Sequence, residues 1–281
     1  MKKKSRLYFL TIVLVVMLVG CNTVSKSSKD KSAQANQNET IENVLKKVSD
    51  RQSNQKSFST ALDTKVEITS TNQKNKGASS DNQVKATIDK EADRIYFKQT
   101  SEKKENQSDK GTTFEGEVYF VDDEIYSRLL SEQNWQKMNG QEAILAKSKI
   151  TFLLYMGEYV KQLENPKNSF EMEYKDNQYV LTLKKPSDDF IRFLGDYVNN
   201  QLEVGELYTF ESSSMRFKND LKFFVTVDSS TFDIKNITLK TTVNGKVDNI
   251  TEETIEISSR ASYSDFDKTE AIEVPQEAKS K

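Results

Sequence analysis

Apolar and polar residues alternate along most of this chain, and this period of two limits the folds open to it. In residues 58–68 every second side chain is apolar or threonine, and most of those between are charged. A strand with this pattern buries one face and leaves the other in water. The pattern recurs at 84–88, 95–99, 118–120, 125–129, 170–183, 223–243 and 255–263. We therefore expect roughly nine to eleven strands.

Three segments have a helical period instead. Thr40 is placed to cap a short first helix over residues 41–48. Residues 143–163 are apolar nearly all round, which is typical of a helix buried on more than one face. A third helix opens at 186–189 with an apolar stripe behind it. This order of elements predicts an α+β fold, in which helices cover one face of a long antiparallel meander.

Short polar pairs mark the expected turns. Asp122-Asp123, Asp176-Asn177 and Asn244-Gly245 each lie between alternating segments and predict tight hairpin turns. The longer polar stretches 71–83 and 101–113 predict loops, because they hold few apolar residues.

The first 38 residues predict an export signal and a tether. A basic start is followed by an apolar run at 7–19 and by Leu18-Val19-Gly20-Cys21, which resembles a bacterial lipobox. The resemblance implies a signal peptide over 1–20 and a diacylglyceryl group on Cys21, which would hold the protein on the outer face of the cell membrane. A single transmembrane helix is the alternative, but the run is shorter than the roughly 20 residues that a span needs.

The segments after the signal divide in two. Residues 22–38 are almost wholly polar, so we expect a disordered tether from Cys21 to about residue 38. The rest, 39–278, is expected to form one domain. Four of the 41 Lys and Arg residues lie in the signal, so its removal leaves 37 cations against 43 Asp and Glu residues. This acidic balance argues against nucleic-acid binding.

The chain has no histidine, and its one cysteine is Cys21. Catalytic triads, the usual zinc sites and disulfides are therefore excluded, and no cofactor is expected. Carboxylates remain as possible catalysts, but Asp188-Asp189 falls at a predicted helix start and Asp122-Asp123 in a predicted turn. Those structural roles explain both pairs. We expect a protein that is not an enzyme.

In the order of its elements the chain resembles a family of lipoprotein carriers. The lipobox, the polar tether, the helix at 41–48 and the Lys56-Ser57-Phe58-Ser59 start of a long strand are similar to Gram-positive lipoproteins related to the LolA and LppX/LprG carriers. The segments 135–138 and 272–275 fit a subset known only as a family of unknown function. The resemblance implies a curved half-barrel whose concave face, covered by helices, can hold acyl chains.

Two aromatic-rich helices supply the candidate ligand-binding residues. Flexible and large apolar side chains line pockets for lipids, but the same residues pack any helix on a sheet. The sequence leaves open whether the expected cavity is empty or filled. It therefore also allows a protein with a filled core that binds a protein or a cell-wall polymer through its outer surface. The candidates are Phe152, Tyr155, Met156, Tyr159, Phe190, Phe193, Leu194 and Tyr197.

Overall fold

An antiparallel sheet with the first and last strands at its centre organises the fold. The structure, a computed structural model, describes residues 39–70, 77–105, 111–155, 157, 160, 166–204, 214–247 and 251–279. Residues 39–281 form one compact unit. The predictions for 1–38, Cys21 among them, lie outside the described residues.

The described residues form twelve strands and five helices. The strands are β1 (Ser57–Ser70), β2 (Ala78–Asp89), β3 (Arg94–Glu105), β4 (Thr112–Val121), β5 (Glu124–Leu129), β6 (Gln136–Asn139), β7 (Phe170–Lys175), β8 (Gln178–Leu183), β9 (Arg216–Phe217), β10 (Lys222–Asp228), β11 (Ile234–Val247) and β12 (Thr251–Ser264). The helices are α1 (Ile41–Asn54), α2 (Gly140–Leu154), α3 (Pro166–Ser169), α4 (Asp188–Val204) and α5 (Gln276–Lys279).

The strand order is β6-β5-β4-β3-β2-β1-β12-β11-β10-β8-β7, and β9 pairs with β11 beside this path. The central β1–β12 ladder runs from Ser59 opposite Ser264 to Ser70 opposite Glu253. Along β1 the side chains of Phe58, Leu62 and Val66 are buried on one face. This burial follows the alternation in the sequence, since successive residues of a strand point to opposite faces.

Helices cover the apolar face of the sheet, which we call the core face. In α1 the Thr40 hydroxyl accepts a hydrogen bond from the Asn43 backbone N–H (3.3 Å), and Val44 and Val48 are buried. In α4 the side chains of Leu194 and Val198 are fully buried. One cluster joins these residues to the core face of β1–β3, β8 and β10–β12.

The outer face carries a second, smaller core. The chain after β12 lies over the outer side of the β3–β6 half and buries Trp135 of the segment before β6. Arg94 at the start of β3 donates to the Ile272 carbonyl oxygen (3.2 Å), which holds this segment on the sheet. The buried members of this core are Val121, Tyr126, Trp135, Ile272, Val274 and Ala278.

The expected α+β fold is confirmed: an open, curved antiparallel sheet carries α1, α2 and α4 on its core face. The turn prediction is confirmed at Asp122-Asp123 and at Asp176-Asn177, where all four residues have φ between 51° and 61°. Within the described residues, no helix is both long and apolar enough to span a membrane.

The turn prediction for Asn244-Gly245 is wrong. Both residues lie within β11, where Asn244 is opposite Thr254 and Gly245 is opposite Glu253. The Thr254 hydroxyl also donates to Asn244 Oδ1 (3.1 Å). Ladder pairing with β12 therefore outweighs the local turn preference of this dipeptide.

The loop predictions for 71–83 and 101–113 are also wrong in part. Strand β2 already begins at Ala78, and β3 continues to Glu105 before β4 begins at Thr112. The polar residues of these strand ends are paired in register, from Ala78 opposite Glu105 onward. Backbone pairing does not depend on side-chain polarity, so low hydrophobicity gave a misleading signal there.

Candidate hydrophobic-ligand site

Helix α4 places most of its predicted ligand-binding residues in the core. Phe190, Leu194 and Tyr197 are buried, and Phe193 is half-buried. Asp188 and Asp189 occupy the first turn of α4, where a negative charge is favourable. Phe190 packs edge to face on Phe223 of β10, with ring centres 5.0 Å apart. These side chains fasten α4 to the sheet.

Aromatic rings also join α2 to α4. Phe152 of α2 lies 5.6 Å from Phe193 of α4 between ring centres, and Phe193 lies 5.7 Å from Phe190 and 6.3 Å from Tyr197. Phe152 and Phe193 are both half-buried. The structure thus brings four of the predicted residues into one group at the contact between the two helices.

Tyr155 lies at a different place, beyond the end of α2. Its ring packs edge to face on Phe58 at the start of β1 (5.1 Å between centres). A cavity of about 20 Å³ beside it is lined by residues that include Gln52, Gly157 and Tyr263. This volume has room for about one water molecule. The site residues Met156 and Tyr159 lie outside the described residues.

A buried hydrogen-bond network fixes the middle of α4 to the centre of the sheet. The Tyr197 hydroxyl lies 2.6 Å from Ser259 Oγ of β12, which in turn lies 3.0 Å from Thr64 Oγ1 of β1. Gln201 Nε2 donates to the same tyrosine oxygen (2.9 Å). Burial raises the pKa of Tyr197 to about 12, although its hydrogen bonds oppose the shift. The hydroxyl therefore stays protonated at physiological pH.

Five large apolar side chains between residues 129 and 145 are 40–55% exposed, and we call them the apolar rim. Ile125 of β5 is buried on the core face, and Met138 of β6 is opposite it, so Met138 lies on the same face. Leu129 is four residues after Ile125 in β5 and therefore also lies on the core face. The core face is thus uncovered at its β5–β6 edge. The rim consists of Leu129, Leu130, Met138, Ile144 and Leu145.

Helix α2 carries the other two members of the rim, Ile144 and Leu145. Ile144 and Leu145 lie in its first two turns and are exposed, whereas Leu153 and Leu154 at its far end are buried. Lys147 Nζ anchors the middle of the helix to Asp93 Oδ2 (2.6 Å) in the β2–β3 turn. Ala143 in the first turn is buried like Ile150 and Leu154, so α2 packs along its length on the side that carries these residues, and Ile144 and Leu145 lie outside that side. Sequence reasoning missed the rim, because exposure depends on which residues the helices leave uncovered.

The carboxylate pairs have structural positions. Asp122 and Asp123 form the β4–β5 turn, and the side chain of Glu253 in β12 is buried. In the described ranges, no three side chains among His, Cys, Asp and Glu are grouped to hold a metal ion. The outer-face carboxylate of Glu117 is buried and pairs with Arg128 Nε (2.5 Å).

The fold is an open antiparallel sheet whose core face is covered by helices and whose β5–β6 edge carries exposed apolar side chains. The chain belongs to DUF6612, a family of unknown function, over residues 40–281. The expected membership of a family of unknown function is confirmed. No curated protein matches the sequence.

Several solved structures are similar to this chain at low identity. LprF from Mycobacterium bovis is 12% identical, with 85% of this chain and 97% of that chain covered and a TM-score of 0.39. A LolA superfamily protein from Nitrosomonas europaea is 13% identical, with 84% and 96% covered and a TM-score of 0.21. A DUF1329 family protein from Desulfovibrio piger is 11% identical, with 80% and 92% covered and a TM-score of 0.22.

Proposed function

We propose that this protein is a membrane-anchored extracytoplasmic lipoprotein, not an enzyme, that binds the acyl chain of a lipid or a similar hydrophobic ligand between α2 and the core face. The apolar rim is the observation that carries the proposal. Exposed apolar groups of this size, carried by β5, β6 and the adjacent start of α2, mark a surface that binds an apolar partner. Residues 39–278 would form the binding domain, and 21–38 would form the lipidated tether.

The ligand enters from the β5–β6 edge. On the core face Leu129 is opposite Gly116 of β4, and Gly116 is opposite Gln99 of β3. An apolar chain that passes the rim would therefore lie first on β4 and then on β3. Burial of apolar surface there contributes about 25 cal/mol per Å² before the entropy cost of binding. The half-buried Phe152 and Phe193 lie where α2 would move to admit the chain.

A double substitution of the rim tests the proposal. In Ile144→Asp/Leu145→Asp we expect photo-cross-linking of a photoreactive fatty acid to the whole chain in membranes to fall at least about tenfold, because two charges would border the apolar opening. The helix should persist, since both side chains are exposed. Ser148→Asp/Lys149→Asp, on exposed positions of the same helix, is the matched control. Equal labelling of the wild type and the rim variant would contradict the proposal.

The anchor has its own test. Replacing Cys21 by Ala should release the protein from the cell surface or leave it unprocessed, because the thiol is the only group in the chain that a thioether-linked diacylglycerol could use. Membrane fractionation after detergent-free washing, together with a mass measurement of the N-terminal residue, reads this out. Processed Cys21→Ala protein that stays with the membranes would overturn the anchor.

A groove on the outer face favours a second candidate, binding of a protein or cell-wall polymer by a protein with a filled core. Its floor is the row Ser59, Thr87 and Tyr96, and the Tyr96 and Tyr119 rings lie 4.5 Å apart at its side. Beside them Lys85 and Lys98 are directly opposite each other, a like-charge pair that costs stability. Cell-wall polymer binding that Tyr119→Ala abolishes and the rim variant keeps would favour this candidate.

A further inference from the structure

A row of polar side chains crosses the core face beside the opening. Ser101 of β3, Asn82 of β2, Thr64 of β1 and Ser259 of β12 are opposite one another in successive strands. All four are buried, with Asn82 only 2% exposed. We call these four residues the polar row. Polar residues in the middle of an apolar face cost stability unless their hydrogen bonds are made.

Helix α4 satisfies only one half of the polar row. Thr64 and Ser259 bond to each other, and Tyr197 continues that network to Gln201. In the other half, both the Nδ2 and Oδ1 atoms of Asn82 and the Oγ atom of Ser101 have no hydrogen-bond partner among the residues that the structure describes. The Oγ atom of Ser80, two residues from Asn82 on the same face, is likewise unpartnered. Native proteins rarely leave such atoms unbonded.

The unsatisfied half lies next to the proposed ligand path. Ser101 is two residues along β3 from Gln99, which belongs to the row of Gly116 and Leu129. At 3.2–3.4 Å per residue, the two rows are about 7 Å apart. An acyl chain that enters at the apolar rim would therefore bring an attached polar group within reach of Asn82 and Ser101.

The chemistry of these side chains selects an uncharged group. An amide and two hydroxyls supply donors and acceptors but no charge. Two charged residues lie on the same face: Lys103 of β3, which is directly opposite Ser80, and Glu253 of β12; they have opposite signs and interactions of their own. A carboxylate or phosphate brought beside Asn82 would lose its hydration and would have to compete for Lys103 with the interaction that this lysine already makes.

We propose that Asn82, Ser101 and Ser80 bind the uncharged, hydrogen-bonding head group of an amphiphile, such as the glycerol hydroxyls or ester of a neutral glycerolipid. This inference rests on the proposed function and adds the class of ligand and its polar contacts. Asn82 donates through Nδ2 and accepts through Oδ1, and the two serines complete a site that the described part of the chain leaves unsatisfied.

Asn82→Leu tests the inference, because it removes the unsatisfied amide at nearly constant volume. The whole chain in membranes is exposed to two photoreactive probes with the same acyl chain, a monoacylglycerol and a fatty acid. We expect the wild type to label preferentially with the monoacylglycerol, and Asn82→Leu to lower that labelling roughly tenfold while fatty-acid labelling changes little. Ser101→Ala, a smaller change, should act in the same direction.

The urea midpoint of unfolding gives a second test, because a ligand-binding role and a structural role of the Asn82 amide predict opposite changes in it. If the amide serves a ligand, its removal should raise the urea midpoint of the ligand-free chain, measured by pulse proteolysis. Gln83→Leu is the matched control, since Gln83 is the exposed neighbour of Asn82 on the outer face. It should change neither labelling nor selectivity.

The outcomes are distinct. A lower urea midpoint in Asn82→Leu, or unchanged labelling by the monoacylglycerol, would overturn the inference and show that the amide is structural or bonded only to water. If the wild type prefers the fatty acid, the neutral head group is wrong while the hydrophobic site stands. Labelling by neither probe would overturn the proposed function and this inference together.

Discussion

Phe223→Ala is expected to lower the free energy of unfolding by about 3–5 kcal/mol, as large core truncations do. Phe223 is buried near the start of β10, where it packs on Phe190 of α4 and lies 6.4 Å from Phe170 of β7 between ring centres. Its removal leaves a cavity between the sheet and the helix, because three separate elements would have to move to fill it.

Equilibrium urea unfolding, followed by circular dichroism, measures this loss. The matched control is Phe224→Ala, because Phe224 is the next residue of the same strand, half-buried on the opposite face. The control should cost much less, about 1 kcal/mol, since it removes less buried surface. Equal losses in the two variants would mean that α4 does not rest on Phe223 as the structure shows.

Arg51→Met is expected to cost about 2–3 kcal/mol, because it leaves a buried carboxylate without its cation. Arg51, at the end of α1, donates through Nε to Asp233 Oδ1 (2.6 Å) and through Nη1 to Asp267 Oδ2 (2.7 Å). The Asp233 side chain is only 6% exposed. One guanidinium therefore ties α1 both to the start of β11 and to the segment after β12.

The pH dependence of this variant supplies a further check. Burial alone would raise the pKa of Asp267, but the Lys56 N–H and Arg51 lower it below its usual value. Stability from a lowered carboxyl pKa is present at neutral pH and is lost as the pH falls below about 4. The difference between wild type and Arg51→Met should therefore shrink in acid. Arg192→Ala, which removes an exposed ion pair with Asp189, should cost under about 0.5 kcal/mol at either pH.

Local pattern predicts the sheet well where burial follows hydrophobicity. The alternation of Phe58, Leu62 and Val66 identified β1 and its buried face, and Thr40 identified the start of α1. Turns with local chemistry, such as Asp122-Asp123, were equally accessible. In these cases the signal lies within a few residues, so no knowledge of partners is needed.

The remaining features depend on pairing between distant segments. Asn82 and Ser101 were assigned to loops because they are polar, yet each lies in a ladder formed with a neighbouring strand. Asn244-Gly245 was assigned to a turn, although β12 holds it in the sheet. The outer-face core around Trp135 also went unpredicted, because its two halves are more than a hundred residues apart. Of the candidate site, the sequence supplied aromatic residues on α2 and α4 but could not show the rim.

The β1–β12 ladder has a consequence for how the chain is made. Ser59 and Ser264 are opposite each other at the middle of the sheet, so the centre cannot close until nearly the whole polypeptide has been synthesised. Until then β1 presents an unpaired edge, which favours misassembly with other chains. A chain that crosses a membrane in an extended form would face this interval on the far side. If the chain is exported in this way, β12 would be the last strand to emerge and would complete the fold, and chaperones that shield unpaired strand edges would act before it arrives.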